Sequence, residues 1–408
     1  MSPHKKIFSY LFSSTCLLGL SLNSAHAQLP SLPIEQLSAA NGSINIEDAK
    51  VHDVDNTTAL VGRAVYNFDG QRWNFTQNLP LPAAPAGFLE LDGAARLRFA
   101  NTGDIDGNRI AVTGAFVSAV GGAGGGAFAA TVPFFATYTL RGKRWREESV
   151  TILPDITTSS IRANLVDDIA LDGDQIVIGD VETLVDSNTF DRSGARGVAD
   201  VYNRLGKNWA FITRLHPDQV ERFDRFGKNV AIEGSVIAVA AEATRDPDGV
   251  VYVFDNLVLN SVITAAEPGF SEDFGQSVNI DNGRIAVASN FADRGAVYLF
   301  ERQSSMFRQT ARLAPAEDDE YNVYDSNAIL SGDTVVLITN GLDLTRRFFS
   351  PGPFRISIFN TDSYELEGTF VGQFLNNSTT GNNLLGFDNG LGLISAPNRR
   401  TVFGIDIR

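Results

Sequence analysis

The chain has 408 residues, a formal net charge of −15 at pH 7 and a single cysteine, Cys16. An acidic surface of that size repels phosphate backbones and anionic lipid, which argues against nucleic acid as a partner. One cysteine allows no internal disulfide and no cysteine-clustered metal site, so burial must supply the stability.

The chain opens on "MSPHKKIFSYLFSSTCLLGLSLNSAHAQLP". Lys5 and Lys6 precede an apolar run too short to span a bilayer, and Ala25-His26-Ala27 has the small-x-small form of a cleavage site. Residues 1–27 are therefore expected to be a cleaved signal peptide, which makes the protein secreted or periplasmic. A lipid anchor on Cys16 is the rival reading, but "SSTC" is a poor match to that signal. No later segment is apolar enough to cross a membrane. Residues 28–408 are expected to form one domain.

That domain repeats one element: an aliphatic residue, a turn rich in Asp, Asn and Gly, then a strand of small aliphatic residues. The copies are "VDNTTALVG" (54–62), "IDGNRIAVTG" (105–114), "LDGDQIVIG" (171–179), "IEGSVIAVAA" (232–241), "IDNGRIAVAS" (280–289), "LSGDTVVLIT" (330–339) and "FDNGLGLISA" (387–396). Such turns supply the positive φ of tight hairpins, so each copy predicts two antiparallel strands. A third strand follows most copies, clearest in "GVADVY" (197–202), "GVVYVF" (249–254) and "GAVYLF" (295–300). A fourth opens on an aromatic residue: Trp73, Trp145, Trp209, Phe307 and Tyr364 are read as packing between neighbouring units. The pattern predicts an all-β, seven-bladed β-propeller of four-stranded antiparallel blades. The last unit ends after three strands. "PIEQLSAANG" (33–42) aligns with the fourth strand "RQTARLAPAED" (308–318), so the N-terminal strand is expected to close the last blade.

The pair "DRFGKNVAIEGSVIAVAA" and "DFGQSVNIDNGRIAVAS" resembles the FG-GAP repeat of integrin-alpha-type β-propellers and secreted bacterial relatives. Phe226-Gly227 and Phe274-Gly275 match the FG, and Ala240-Ala241 and Ala288-Ser289 stand near the Gly-Ala positions. The resemblance implies a seven-bladed propeller with a role in adhesion or ligand recognition, and in many members calcium held by a D-x-D-x-D-G-x-x-D loop. The nearest fit here has Asp104, Asp106 and Asn108, and lacks the trailing Asp. A second candidate has Asp186, Asn188 and Asp191. Calcium is the cation these oxygen donors would take, although both sets read more simply as turn and loop formers.

Long insertions at 81–95, 116–135, 180–197, 340–353 and 373–383 are expected on one face, where loops build binding surfaces. The tip "TRRFF", with Arg346, Arg347, Phe348 and Phe349, is the candidate contact for a protein or glycan. Catalytic signals are sparse. Past the signal only His52 and His216 remain, and no G-x-S-x-G elbow occurs. Glu147-Glu148, Asp167-Asp168 and "EDDE" (317–320) are read as solvated charge. The reading is a monomeric binding or adhesion module. The alternative is an exported carbohydrate-active hydrolase or lyase with acids in the central channel, and a purely structural envelope role stands third.

Overall fold

The computed structural model describes residues 50–84, 96–121, 127–153, 166–181, 196–221, 224–242, 249–266, 273–290, 295–315, 322–343, 350–372, 384–396 and 401–407. Among these every regular element is a strand. The first blade holds β1 (Val51–Asp55), β2 (Thr58–Val61), β3 (Ala64–Phe68) and β4 (Trp73–Asn78). The second holds β5 (Arg96–Asp106), β6 (Arg109–Gly121), β7 (Ala127–Arg141) and β8 (Arg144–Ile152). The third holds β9 (Asp168–Asp172), β10 (Gln175–Asp180), β11 (Val198–Leu205) and β12 (Asn208–Leu215). Then follow β13 (Phe226–Glu233), β14 (Val236–Ala241), β15 (Val250–Asp255) and β16 (Val258–Ile263). The fifth holds β17 (Ser277–Asp281), β18 (Arg284–Ser289), β19 (Ala296–Gln303) and β20 (Met306–Leu313). The sixth holds β21 (Asn322–Ser331), β22 (Thr334–Asp343), β23 (Ser350–Asn360) and β24 (Leu366–Gly372). The chain finishes with β25 (Leu384–Asp388), β26 (Leu391–Ala396) and β27 (Thr401–Asp406).

Within each sheet the strands pair in chain order and antiparallel. The expectation of seven four-stranded blades is corrected: the described residues form six four-stranded blades and one three-stranded sheet. Residues 33–42, expected to supply the missing strand, lie outside the described residues. The first strands of successive sheets touch in sequence around an axis, and β25 returns to β1. The molecule is a β-propeller.

The core lies between blades rather than in one centre. Trp145 opens β8 and packs with Leu60, Val65 and Leu79 of the first blade. Trp209 opens β12 and packs with Ala111 and Phe135 of the second, and its indole N–H donates to Thr137 Oγ1 at 3.2 Å. Phe307 does the same against Val253 and Ile263. Tyr364 departs from the pattern: it sits exposed in a turn at φ 59°, and Leu366 takes the packing position.

Two insertions read as loops are paired strand. β6 and β7 run in register from Arg109↔Thr139 to Gly121↔Ala127, so 116–135 lengthens a hairpin. The alternating "FVSAV" and "TVPFF" carry the two-residue period that pairing needs. Likewise β22 and β23 continue to Asp343↔Ser350, and Arg346, Arg347, Phe348 and Phe349 lie outside the described residues.

The FG pair has a physical reading. Phe226 and Phe274 are fully buried, each edge-on to the tyrosine of its own third strand, Tyr252 and Tyr298, at 5.5 Å. Gly227 follows at φ 90°, where a Cβ would stand 2.2 Å from Val198 O of the preceding blade. Only glycine allows both that backbone and that approach.

Candidate functional site: the inner ring

The first strand of a blade has one edge unpaired, facing the axis. Its N–H groups need acceptors. They receive them from the preceding blade. Asp55 Oδ2 accepts from Gly107 N–H and Asp106 Oδ2 from Gly173 N–H, both at 2.6 Å. Asp172 accepts from Gly234 N–H. Glu233 takes the N–H groups of Asn282 and Gly283 with its two oxygens, each at 2.8 Å. Asp281 accepts from Gly332 N–H at 2.5 Å, the Ser331 hydroxyl from Asn389 N–H at 3.0 Å, and Asp388 from Asn56 N–H at 2.8 Å. Every sheet thus caps the inner turn of the next, and the last caps the first.

A second tier runs deeper. Ile105 N–H is shared by Asp53 Oδ2 at 3.0 Å and Asp104 Oδ1 at 2.9 Å. Asp104 Oδ2 accepts from Leu171 N–H at 2.6 Å, and Asn279 Oδ1 from Leu330 N–H at 3.1 Å. Higher still, Asp168 Oδ2 accepts from Val230 N–H at 2.9 Å and Ser277 Oγ from Ala328 N–H at 2.8 Å.

The candidate calcium residues fall within this ring. Asp104 and Asp106 hold backbone of the third blade, and Asn108 sits in the turn beyond β5. Asp186, Asn188 and Asp191 lie outside the described residues. Among the described residues no three acidic, histidine or cysteine side chains gather as a metal site.

Burial shifts the protonation of the inner acids. Asp53 is pushed up to about 6, chiefly by loss of water. Asp104 is raised further by burial and by the charge of Asp53, and its proton donates to Asp53. Asp168 is also pushed up to about 6 by burial, against the hydrogen bonds it accepts. Near the start of β1, Lys50 donates to Asn101 O at 2.8 Å, and Lys228 pairs with Asp167 at 3.4 Å. Burial lowers Lys50, with partial relief from Asp168. Burial and then Lys50 lower His52 well below its usual value. The Ala100 backbone lies close enough to favour protonation of that ring, but neither ring nitrogen completes a hydrogen bond. His52 occupies the bulge where β1 slips against β2.

The reading of the acid pairs as solvated charge is corrected twice. Asp168 is a blade-to-blade acceptor. Glu148 has a side chain only 2% exposed, accepts from Arg204 Nη2 at 2.6 Å and lies 3.9 Å from Arg109 Nε. His216 meets Phe226 edge-on and lies 3.1 Å from Gly197 O. The sequence signal for the ring was present: six of the seven repeats carry an acid at the last position of the first strand. Local reading assigned it to the turn.

The shared proton gives a prediction. A raised folded pKa means that the native state binds more protons than the unfolded chain between about pH 4 and 6, so stability falls as pH rises through that window. Asp53→Asn stays neutral and keeps an acceptor for Ile105. It is expected to exceed the wild type in stability at pH 7 by on the order of 2 kcal/mol, the gap closing below about pH 4. Urea unfolding across pH measures it, and a variant less stable at pH 7 contradicts the assignment.

Residues 209–254, from the fourth strand of one blade through the third strand of the next, match the FG-GAP repeat family. No curated protein sequence matches the chain. Among solved structures, a prolyl endopeptidase is similar at TM-score 0.42 and 11% identity, over 88% of this chain and 48% of that one. The chain thus spans about half the length of that protein. Kuenenia stuttgartiensis hydrazine synthase is similar at TM-score 0.46 and 10% identity, over 90% of this chain and 98% of that one. At those scores nothing about activity follows. The repeat match at residues 209–254, set in a ring of antiparallel blades, is consistent with an FG-GAP-type β-propeller.

Proposed function

We propose that the protein is an exported binding or adhesion module, which engages a protein or glycan through the face where the blade-to-blade links emerge. One observation carries this reading: the carboxylates around the axis are committed to holding backbone N–H groups of the next blade. That work is scaffolding, and it leaves recognition to the loops. Residues 33–42 would add to the open edge of β27 and complete a seventh four-stranded blade. The monomer would suffice, with calcium as an optional addition at Asp104, Asp106 and Asn108 or at Asp186, Asn188 and Asp191.

The test is a glycan and envelope-protein binding screen on residues 28–408, with and without calcium. A saturable ligand whose affinity drops at least about tenfold in the double variant Arg346→Ala/Arg347→Ala is expected, a loss of about 1.4 kcal/mol. A calcium-dependent rise in melting temperature would make the cation integral rather than optional. Turnover of a polysaccharide with no binding partner found would favour the second reading, a carbohydrate-active enzyme. The observation behind that reading is the neighbourhood of Lys50, His52 and Asp168, which lie close enough for burial and one another's charges to shift their protonation.

A further inference from the structure

We propose that Asn389, in the inner turn of the three-stranded sheet, is a site of spontaneous deamidation, whereas Asn282 in the equivalent turn is protected. Both precede glycine, Gly390 and Gly283, and both are exposed. Their backbones are nearly alike: φ is 48° and 79° across Asn389-Gly390, and 52° and 71° across Asn282-Gly283. The intrinsic reactivity of the two pairs is therefore the same, and the surroundings decide.

The chemistry needs only water. The glycine amide nitrogen attacks Cγ of the asparagine, a C–N bond forms, and the Cγ–Nδ2 bond breaks. Ammonia leaves, carrying the proton from the attacking nitrogen, and a cyclic imide remains. Water then opens either carbonyl of that imide, to aspartate or isoaspartate. No oxidation occurs. The attack requires the peptide between the two residues to turn out of its hairpin geometry, so whatever grips that peptide opposes it.

The grips differ. Glu233 accepts from both Asn282 N–H and Gly283 N–H at 2.8 Å, and a charged acceptor makes the stronger bond. At the other turn the acid is replaced by Ser331, whose hydroxyl accepts from Asn389 N–H at 3.0 Å and itself donates to Asp388 Oδ1 at 2.6 Å. The attacking nitrogen of Gly283 is tied to a carboxylate, and that tie has no counterpart through Ser331. The Asn389 side chain donates to Asn56 Oδ1 and Asp388 Oδ2, each at 2.9 Å. Those bonds engage the nitrogen that departs. Loss of that nitrogen would set a new carboxylate against Asp388 and against the acceptor oxygen of Asn56, where the last sheet meets the first. Of the other Asn-Gly pairs, Asn340-Gly341 is held in the ladder of β22, and Asn41-Gly42 lies outside the described residues.

The experiment ages the full chain at mildly alkaline pH and follows each Asn-Gly peptide by mass and by isoaspartate content. Conversion at Asn389 several-fold faster than at Asn282 is expected. Glu233→Ser should raise the rate at Asn282, and Ser331→Glu should lower it at Asn389. Asn282 converting as fast as Asn389 in the wild type overturns the proposal, and that comparison needs no variant to fold. Asn389→Asp, the product itself, should melt at lower temperature than the wild type. An unchanged melting temperature would remove the consequence for the seam.

Discussion

Glu148→Ala is expected to lower stability by about 3–5 kcal/mol, the range for breaking a buried ion pair from one side. Glu148 lies between Arg109 and Arg204, whose side chains are 11% and 23% exposed. Arg109 also donates to Gly173 O and lies over the Trp209 ring, 5.8 Å from its centroid. Glu148 holds Arg204 above the usual guanidinium range. Removing the carboxylate leaves both cations in the seam between the second and third blades with, among the described residues, only Asp174, which is 70% exposed, to oppose them. Urea unfolding at low and high salt measures the effect. Glu148→Gln should recover part of the loss by keeping an acceptor for Arg204. A cost below about 1 kcal/mol, the size of a surface pair, would place this cluster in solvent and contradict the packing described.

The second large effect is expected at Phe226. Truncation to alanine should cost about 3–5 kcal/mol, as for other buried aromatics. The ring touches Tyr252, Phe254 and His216 edge-on, at centroid distances of 5.5, 6.5 and 6.3 Å. Phe274→Ala should behave alike, because Phe274 meets Tyr298 and Phe300 in the same way. Phe226→Leu should recover much of the loss by refilling the volume. Equal stability of Phe226→Ala and wild type in denaturant would show that the FG pair is not a core element.

The hairpins were legible because their chemistry is local. Asn282-Gly283 and Gly173 supply positive φ where a tight turn needs it, and the aliphatic runs beside them alternate or bury as strands do. The fourth-strand aromatics were legible because a large apolar residue at a fixed repeat position needs a neighbour. What local reading missed is non-local. Glu148 looks like half of a charged pair until Arg109 and Arg204 arrive from two different blades. Asp55, Asp106 and Asp172 look like turn residues until the following blade presents its N–H groups. Extension of the hairpins past Thr113 and Asn340 was masked by their tips, glycine-rich at 121–126 and flanked by Gly341 and Pro351-Gly352-Pro353 in the other, which suggest loops. Tyr364 shows the opposite failure: an aromatic at the right spacing that the local turn carries outward.

The blade-to-blade caps also impose an order in time. Each cap but the last, five acids and Ser331, reaches forward to a turn made later in synthesis, so six of the seven steps can form as the chain grows. The seventh runs backward: Asp388 meets Asn56, made 332 residues earlier. Until that late segment emerges, the first turn has no acceptor and β1 keeps a bare flank. The circle therefore shuts in one final event, and its entropic cost is that of joining distant ends. A circularly permuted gene, reopened in the link between two middle blades, moves that final event to another seam. It should shift the slowest refolding step there while leaving the finished ring intact.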